Sequence, residues 1–241
     1  MPKAGSAQFT LLALGGTNLL GAKVKEFSWK PEALQEDTTG LGDSWIDQTP
    51  TGIRRATVVQ NGAYFDTALN GMHQKLAAMP LPAQTLVWSP DGVTLFQTKG
   101  TLVTGYEVLA TNGALTKANV TYTISGALEA NGSLVQAPQD QTVSWTSAKI
   151  DSGASSALGG TASQSVTVLT SPGITGFLGK LQHSTDNTTF LDLPGATFAN
   201  VTAAPNQQTL TVAGTINRYL QFVGTITGTG TVRVSAGLFR N

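Results

Sequence analysis

The sequence predicts a mainly β protein, and three observations carry that prediction. Apolar and hydroxyl residues alternate with a period of two, most clearly where Val120, Tyr122 and Ile124 are separated by threonines. Asn-Gly and Asp-Gly pairs, which favour tight hairpin turns, recur between such segments. Charged residues make up only 12% of the chain, and threonine is plentiful. Threonine and other β-branched residues pack well on a pleated surface, so composition and pattern agree.

The first half of the chain predicts two strands around a long loop, followed by one helix. Strand-like segments at 23–29 and 54–66 enclose a polar loop at 36–53. Apolar residues then recur at spacings of three and four, which predicts a single amphipathic helix at 67–79 that ends before Pro80. In an otherwise β chain, such a helix is expected to pack against one face or end of a sandwich or barrel.

The loop at 36–53 is the most informative feature of the sequence. A structureless loop of this length is uncommon inside a compact domain, and is usually functional or disordered. Trp45 and Ile46 stand among its acidic and glycine residues. Because a disordered linker seldom carries a tryptophan, we expect this loop to fold against a neighbouring subunit.

The second half predicts a separate β-sandwich. A boundary near Ala137–Asp140 divides the chain into a domain at 1–140 and a domain at 141–241. A Gly/Ser/Ala-rich stretch at 151–161 is typical of an exposed loop. Strands beyond the boundary are predicted at 163–170, 176–183, 208–212, 218–226 and 231–239. About 100 residues with this many short strands are enough for a small sandwich.

Charge and cysteine content exclude several classes of function. The formal net charge is +0, so the chain as a whole is not an electrostatic nucleic-acid binder. Low charge also suits faces that are buried against other protein, because interface cores are depleted in charged residues. Cysteine is absent, which excludes disulfides and thiolate metal sites and fits assembly in a reducing cytoplasm. The apolar run Phe9–Leu14 is too short for a signal peptide, and no membrane anchor is expected.

Residues that could carry catalysis or hold a metal are few. His73 is expected at the boundary of the helix, and His183 at the exposed end of a strand. No Gly-x-Ser-x-Gly nucleophile motif occurs. Asp186, Asn187 and Asp192 match no standard calcium loop and are more typical of a turn. The sequence therefore predicts no enzyme, no metal site and no cofactor.

The remaining tryptophans are predicted to be structural. Trp29, Trp88 and Trp145 lie in strand-like contexts, where a large aromatic side chain usually packs in a core. Trp45 is the exception by its position in the long loop.

The order of elements resembles that of a known family. The N-terminal strand Lys23–Trp29, the long loop, the strand ending at Gly62–Asp66, one helix and the strand at Thr121–Gly126 resemble the major tail (tail tube) proteins of long, non-contractile-tailed bacteriophages. The segments Leu181–Phe190 and Arg218–Leu220 look like part of the C-terminal β-sandwich that decorates some of these proteins. The resemblance covers most of the chain, and the order of elements rather than any single motif carries it.

The resemblance implies a structural virion protein. Subunits of the family form hexameric rings that stack into a tail tube, and strands of every subunit join one barrel around the lumen, which tends to be acidic. DNA would pass through without specific binding. The partners would be copies of the chain and the terminator, tape measure and distal tail proteins, in a virion assembled in the host bacterial cytoplasm. The long loop would reach the adjoining ring, with Glu36, Asp37, Asp43, Trp45, Ile46 and Asp47 as interface residues.

A binding module is the alternative that the sequence leaves open. A phage surface or baseplate protein, or a carbohydrate-binding module, could use the loops at the ends of the C-terminal sandwich, because loops held by a rigid scaffold commonly carry ligand sites.

Overall fold

The computed structural model describes residues 10–20, 24–37, 48–65, 72–170 and 173–241. This part of the chain is mainly β with one short helix, α1 (Met72–Leu76), which confirms the predicted fold class. The strands in the described residues are β1 (Leu11–Leu14), β2 (Thr17–Asn18), β3 (Glu26–Asp37), β4 (Gln48–Tyr64), β5 (Gln84–Ser89), β6 (Thr94–Leu109), β7 (Lys117–Ile124), β8 (Leu128–Gln141), β9 (Trp145–Thr146), β10 (Ile150–Asp151), β11 (Gly160–Leu169), β12 (Ile174–Ser184), β13 (Leu191–Thr197), β14 (Asn206–Val212), β15 (Tyr219–Gly228) and β16 (Val232–Arg240).

The described strands form two antiparallel sheets. The larger runs β14-β11-β16-β8-β6-β5-β1-β2 and carries a branch in which β7, β4 and β3 follow the second half of β6. The smaller runs β10-β15-β12-β13, with β9 also paired to β15. β6 belongs to two layers because Thr94–Thr98 pairs with β8, whereas Thr101–Leu109 pairs with β7.

The core of the first half lies between the β3-β4-β7 branch and the β1-β5 layer. Val58 on β4 and Val120 on β7 are at most 1% exposed and belong to one apolar cluster with Leu86 and Trp88 of β5. Met72 and Leu76 of α1 join the same cluster, although other residues on the helix stay partly exposed. Each such buried side chain stabilises the fold by about 1.5–3 kcal/mol.

The core of the second half lies between the two sheets. Phe177 on β12 and Phe222 on β15 are fully buried and face Val166 on β11 and Val234 on β16. Val135 of β8 belongs to this cluster, so the strand that precedes the predicted boundary at 140 contributes to the core that follows it.

The two halves also meet directly. β8 pairs with β6 of the first half and with β16 of the second, so one sheet continues across residue 140. Phe239 on β16 packs in a third apolar cluster with Leu11, Val87 and Leu95. Beside it, Glu129 accepts hydrogen bonds from Lys99 Nζ at 2.8 Å and from Thr161 Oγ1 at 2.7 Å.

The predicted helix and several predicted strands can be compared with the structure. The predicted strands of the second half overlap β11, β12, β14, β15 and β16. Of the predicted helix at 67–79, residues 67–71 lie outside the described residues, α1 spans Met72–Leu76, and 77–79 are not helical. The run Phe9–Leu14 contributes β1, whose four residues are all buried.

The predicted loop at 36–53 is corrected by the structure at both ends. Glu36 pairs with Thr49 and Asp37 with Gln48, so β3 and β4 form a long hairpin. Residues 48–53 belong to β4 rather than to a loop. Only 38–47, which lie outside the described residues, separate the two strands.

The prediction that Trp29 packs in a core is wrong. Its side chain is 38% exposed, and its ring lies at the margin of the first core, 6.3 Å from the Trp88 ring and 5.6 Å from the Phe96 ring. The physical reason is that β3 pairs only with β4 among the described strands, so one side of Trp29 has no neighbouring strand. Trp88 is 1% exposed and lies in the first core, whereas the partly buried Trp145 packs against the second.

One buried side chain in the second core yields a stability prediction. Gln164 on β11 is 1% exposed, and neither polar atom of its amide has a hydrogen-bond partner among the described residues. Replacing it by the similarly shaped methionine is expected to raise the free energy of unfolding by about 1–3 kcal/mol, because an unpaired amide no longer has to be buried. Urea denaturation measures the change through the transition midpoint.

Gln60 provides the matched control for this substitution. It is equally buried, but its Oε1 accepts a hydrogen bond from Tyr122 Oη at 3.0 Å and its Nε2 donates to Met72 Sδ at 3.0 Å. Gln60→Met is expected to destabilise the protein because Tyr122 would lose its buried acceptor. A lower midpoint for Gln164→Met than for the parent would contradict the prediction.

Candidate functional site

The candidate site is a four-stranded antiparallel sheet made by β3, β4, β7 and the second half of β6. β4 lies between β3 and β7, with Val58 opposite Trp29 on one side and Tyr122 on the other. β7 in turn pairs with β6 from Thr101 to Leu109. We call this unit the four-stranded sheet.

One face of the four-stranded sheet is covered by the first core. Alternate residues on β4 and β7, including Val58, Gln60, Val120 and Tyr122, are at most 1% exposed. Burial raises the pKa of the Tyr122 phenol, which stays protonated and donates its hydrogen bond to Gln60. The sheet is therefore packed against the body of the protein through this face. The buried polar side chains of Gln60 and Tyr122 both have hydrogen-bond partners, which stabilises this packing.

The opposite face is polar and partly open. Described residues of this face include Ser28 and Lys30 of β3, Arg55 and Thr57 of β4, and Thr121 of β7, and none of them is buried. Threonine, serine and asparagine share this face with charged residues.

The carboxylates on this open face are matched by nearby cations or amides. Glu32 accepts hydrogen bonds from Lys30 at 2.8 Å and from Arg55 at 3.0 Å, and these bonds hold the pKa of Glu32 below its usual value. Glu26 accepts a hydrogen bond from the Asn61 amide at 3.3 Å. Glu107 accepts one from the Asn119 amide at 3.2 Å.

The charges on the described part of this face cancel. Its acidic residues are Glu26, Glu32 and Glu107, and its basic residues are Lys30, Arg55 and Lys117. A surface with balanced charge neither attracts nor repels a polyanion strongly.

Both edges of the four-stranded sheet are open among the described strands. β3 pairs only with β4, and the second edge of β6 has no partner beyond Thr101. An open edge presents a row of unpaired N–H and C=O groups that can bind another strand. β3 spans twelve residues and the open part of β6 about eight, which is long for an unprotected edge.

The edges of the smaller sheet are different. β13 contains Pro194, which has no N–H, and Gly195, which has a φ of 81°. At the other edge, β9 and β10 are two residues each and are separated by a break. Short strands, proline and irregular backbone are the usual means of preventing edge-to-edge pairing. Because the smaller sheet carries these devices, the long open edges of the four-stranded sheet differ clearly from its edges.

The structure brings only some of the sequence-predicted site residues into view. Glu36 and Asp37 lie at the end of β3, where their backbones pair with β4. Asp43, Trp45, Ile46 and Asp47 lie outside the described residues. Their role as interface residues remains a prediction.

The sequence analysis missed the open edge of β6 and the apolar end of the β6–β7 hairpin. Val108, Leu109 and Leu115 surround the turn pair Asn112-Gly113. Three large apolar residues so close to a turn that normally carries polar residues were the available signal.

The histidines take part in local packing. His73 Nδ1 lies 2.7 Å from Tyr106 Oη, and its ring lies 4.3 Å from the Phe65 ring by centroid. His183 Nδ1 accepts a hydrogen bond from the backbone N–H of Asn217 at 3.3 Å, and burial lowers the pKa of this histidine. Each imidazole therefore has a structural partner within its own half.

The acidic turn after β12 is satisfied internally. Asp186 accepts hydrogen bonds from Ser184 Oγ at 2.7 Å and from the backbone N–H groups of Thr188 and Thr189, and these hold the pKa of its carboxyl far below the usual range. Asp192 is bonded to Lys180 and Gln182. Within the described residues, no group of three or more acidic or histidine side chains could hold a metal ion.

Two aromatic rings at strand ends of the second half each lie beside a cation. The Lys149 ammonium lies 5.2 Å from the centre of the Phe190 ring, and the Arg218 guanidinium lies 5.2 Å from that of Tyr219. A carbohydrate platform needs an open ring face, so these two rings do not favour the alternative of a sugar-binding module. No helix in the described part of the chain has the length and apolar character needed to cross a membrane.

Comparisons with known proteins find distant likenesses in structure alone. No protein-family model matches the sequence, and no curated protein matches it. A chain from the virion of a native gene transfer agent is 15% identical, with a TM-score of 0.42, and the match covers 53% of this chain and 98% of that one. A tail chain of an empty gene transfer agent particle, refined with C6 symmetry, is 14% identical with the same TM-score and the same coverage.

The third likeness covers nearly the whole chain. The SPP1 Dit protein, described as a hub of the adsorption apparatus in phages that infect Gram-positive hosts, is 11% identical with a TM-score of 0.31. The match covers 96% of this chain and 99% of that one. The three structures are thus tail particles or a tail hub, and at these similarities none of them assigns a family to this chain.

Proposed function

We propose that this chain is a structural virion protein whose copies join edge to edge through the four-stranded sheet, forming the rings of a phage tail tube. The single observation that carries the proposal is the pair of long open edges on β3 and β6. The resemblance in the order of elements supports the same conclusion.

The direction of the strands suits a closed ring. β3, β4, β7 and β6 alternate in direction, so β3 and β6 run opposite to each other. When copies are related by rotation about one axis, β6 of each copy meets β3 of the next as an antiparallel pair. This arrangement is heterologous and uses both edges of the four-stranded sheet, so neither of these two edges stays open once the ring closes.

The covered face determines which side of the sheet faces inward. The first core, which includes α1, covers one face of the four-stranded sheet. That bulk can only be accommodated on the convex outside of a closed ring. The polar, charge-balanced face therefore lines the interior. The resemblance supports a second half that decorates the outside of the tube.

A ring of six copies would be hollow. Six copies of four strands place about 24 strands in one barrel, which at ordinary strand spacing and tilt is about 50 Å wide between backbones. Porin barrels with fewer strands already enclose water. Such a lumen could conduct DNA without specific binding, and the terminator, tape measure and distal tail proteins would be further partners in the virion tail.

Crosslinking between the two edges tests this proposal. Because the chain contains no cysteine, a pair of introduced cysteines reports one contact at a time. Thr104→Cys on β6 is combined in turn with Glu26→Cys, Ser28→Cys and Lys30→Cys on β3, which lie on the same open face at steps of two residues. One combination is expected to give closed oligomers on oxidation, because disulfides need Cα atoms about 4.4–6.8 Å apart.

Thr146→Cys with Asp192→Cys, on the two edges of the smaller sheet, is the matched control and is expected to give no disulfide-linked oligomers on a denaturing, non-reducing gel. Negative-stain images of the unmodified protein should show rings or tubes of uniform diameter. A chain that remains monomeric at high concentration, with no crosslinks at any of the three positions, contradicts the proposal.

A further inference from the structure

Large side chains on the core face of the four-stranded sheet reach both of its open edges. At the β3 edge, Trp29 pairs with the buried Val58, so its side chain lies on the face that the first core covers. At the β6 edge, Tyr106 and Val108 pair with β7 residues that are at most 1% exposed. Trp29, Tyr106 and Val108 therefore lie on the same face of the sheet, at its two opposite edges.

The first core covers Trp29 only in part. The side chain is 38% exposed, although its ring lies 6.3 Å from the Trp88 ring and 5.6 Å from the Phe96 ring. These neighbours hold the ring on one side, and β3 has no further partner among the described strands on the other. A tryptophan that is held but partly open is typical of an interface hot spot, because little side-chain freedom is lost when a partner covers it.

The β6 edge is also incompletely covered on this face. Val108 is 41% exposed, and Tyr106 is only partly buried. Tyr106 Oη lies 2.7 Å from His73 Nδ1, so α1 holds the tyrosine ring in place. Burial raises the pKa of the Tyr106 phenol, which stays neutral. We call Tyr106 and Val108 the β6 acceptor.

The strand pairings indicate where Trp29 of the next copy would meet β6. Trp29 pairs with Val58, Val58 with Tyr122, and Tyr122 with Val103, so Trp29 is level with Val103 within one copy. Strands in a closed barrel are tilted, so copies meet with a stagger along the strands. The residues of β6 that precede this level already pair with β5 and β8. The stagger can therefore only move Trp29 towards the end of β6, where the core-face residues are those of the β6 acceptor.

We infer that Trp29 of one copy packs against Tyr106 and Val108 of the next, so that the apolar core continues across each junction between copies. The inference rests on the proposed ring and adds a side-chain contact to the backbone pairing. Both edges belong to the same sheet and leave apolar groups exposed on the same face. One contact between two copies removes both sets of groups from water, which favours a second copy of this chain as the partner.

Disulfide crosslinking tests both the contact and the face. Trp29→Cys is combined with Tyr106→Cys and, separately, with Val108→Cys. Within one copy the two edges are three strand spacings apart, at least about 14 Å, so a disulfide can form only between copies. One of the two combinations is expected to give closed oligomers on a denaturing, non-reducing gel.

Leu109 provides the matched control for the crosslinking. It is 42% exposed and follows Val108 directly, but its pairing with Lys117 places it on the opposite, polar face. Trp29→Cys with Leu109→Cys is expected to give no oligomers. Crosslinks from this control, or none from either acceptor pair when the Thr104 pairs do crosslink, would overturn the inference alone. No crosslinks in either series and no rings of the parent protein would overturn the proposed function itself.

Substitutions at the two edges measure how much the contact contributes. Trp29→Ala and Val108→Asp are each expected to raise the concentration at which half of the copies assemble by at least about tenfold, because both remove the same apolar contact. Sedimentation velocity measures this concentration. Val108→Asp leaves the aromatic neighbours of Trp29 untouched, and circular dichroism of the unassembled chain checks that each variant folds.

Leu178→Ala is the matched control for these substitutions. Leu178 on β12 is 37% exposed and lies outside the four-stranded sheet, so its loss is expected to leave the half-assembly concentration unchanged. Unchanged assembly in either edge variant, or an equal loss in the control, would overturn the inference.

Discussion

Phe239→Ala is expected to lower the free energy of unfolding by about 3–5 kcal/mol, because it removes a buried aromatic side chain. Phe239 is 4% exposed and is the residue of the third cluster that the C-terminal strand β16 contributes. Its ring covers Gly132, where an added Cβ would lie 2.5 Å from the ring. The cavity that the ring would leave adds to the burial energy that is lost.

The measurement for Phe239 is chemical denaturation followed by two probes. Tryptophan fluorescence reports on Trp88 of the first half and Trp145 of the second, and separate single-tryptophan backgrounds distinguish them. We expect both probes to shift together, because the cluster joins residues of both halves. Phe239→Leu is the control and should cost clearly less, since most of the volume is kept. A shift confined to Trp145 would contradict the expected coupling.

Trp145→Ala is the second substitution expected to cost about 3–5 kcal/mol. The Trp145 ring is stacked on Phe177 with centroids 5.7 Å apart, and it lies 5.9 Å from Phe222. Its Nε1 donates a hydrogen bond to Gln136 Oε1 at 3.0 Å. The ring also covers Gly224 of β15, where an added Cβ would lie 2.5 Å from it.

Trp145→Phe separates packing from hydrogen bonding. It keeps an aromatic ring over Gly224 but removes the Nε1–H donor, so it should cost only about 1 kcal/mol beyond the smaller ring. The free energies of unfolding of the two variants, measured in urea, should therefore differ by at least about 2 kcal/mol. Equal losses for alanine and phenylalanine would show that the hydrogen bond, and not the packing over Gly224, holds β9 in place.

The fold class was predictable because apolar and polar residues alternate along a strand wherever one of its faces is buried and the other is not. Val120, Tyr122 and Ile124 are buried on β7 while the threonines between them are not, as the alternation indicates. β13 escaped prediction because Pro194 and Gly195 interrupt it, and such residues normally argue against a strand. Its pairing with β12 overrides that local preference.

The β3–β4 hairpin was misjudged for a related reason. Pro50 and Gly52 stand within β4, and the segment lacks a regular apolar period. Sequence rules therefore favour a loop there. A two-stranded ribbon is held mainly by its ladder of backbone hydrogen bonds, which leave little trace in side-chain patterning.

The candidate site could be predicted from the sequence only in part. Its apolar loop residues, Trp45 and Ile46, could be singled out because they are unusual in a polar segment. The open edges could not be predicted, because they depend on the order of the strands in the sheet. That order is set by contacts between separate segments of the chain, such as β6 and β8.

Three irregularities in strand pairing would influence the inner diameter of any tube built from this chain. The register shifts between Ala33 and Gln35 on β3, between Gln60 and Ala63 on β4, and between Val103 and Gly105 on β6. Bulges of this kind bend and twist a strand, and so set the curvature of a sheet. An even number of strands per copy permits closure with any copy number. The inner diameter would therefore be set by these irregularities within the wall rather than by the seams between subunits.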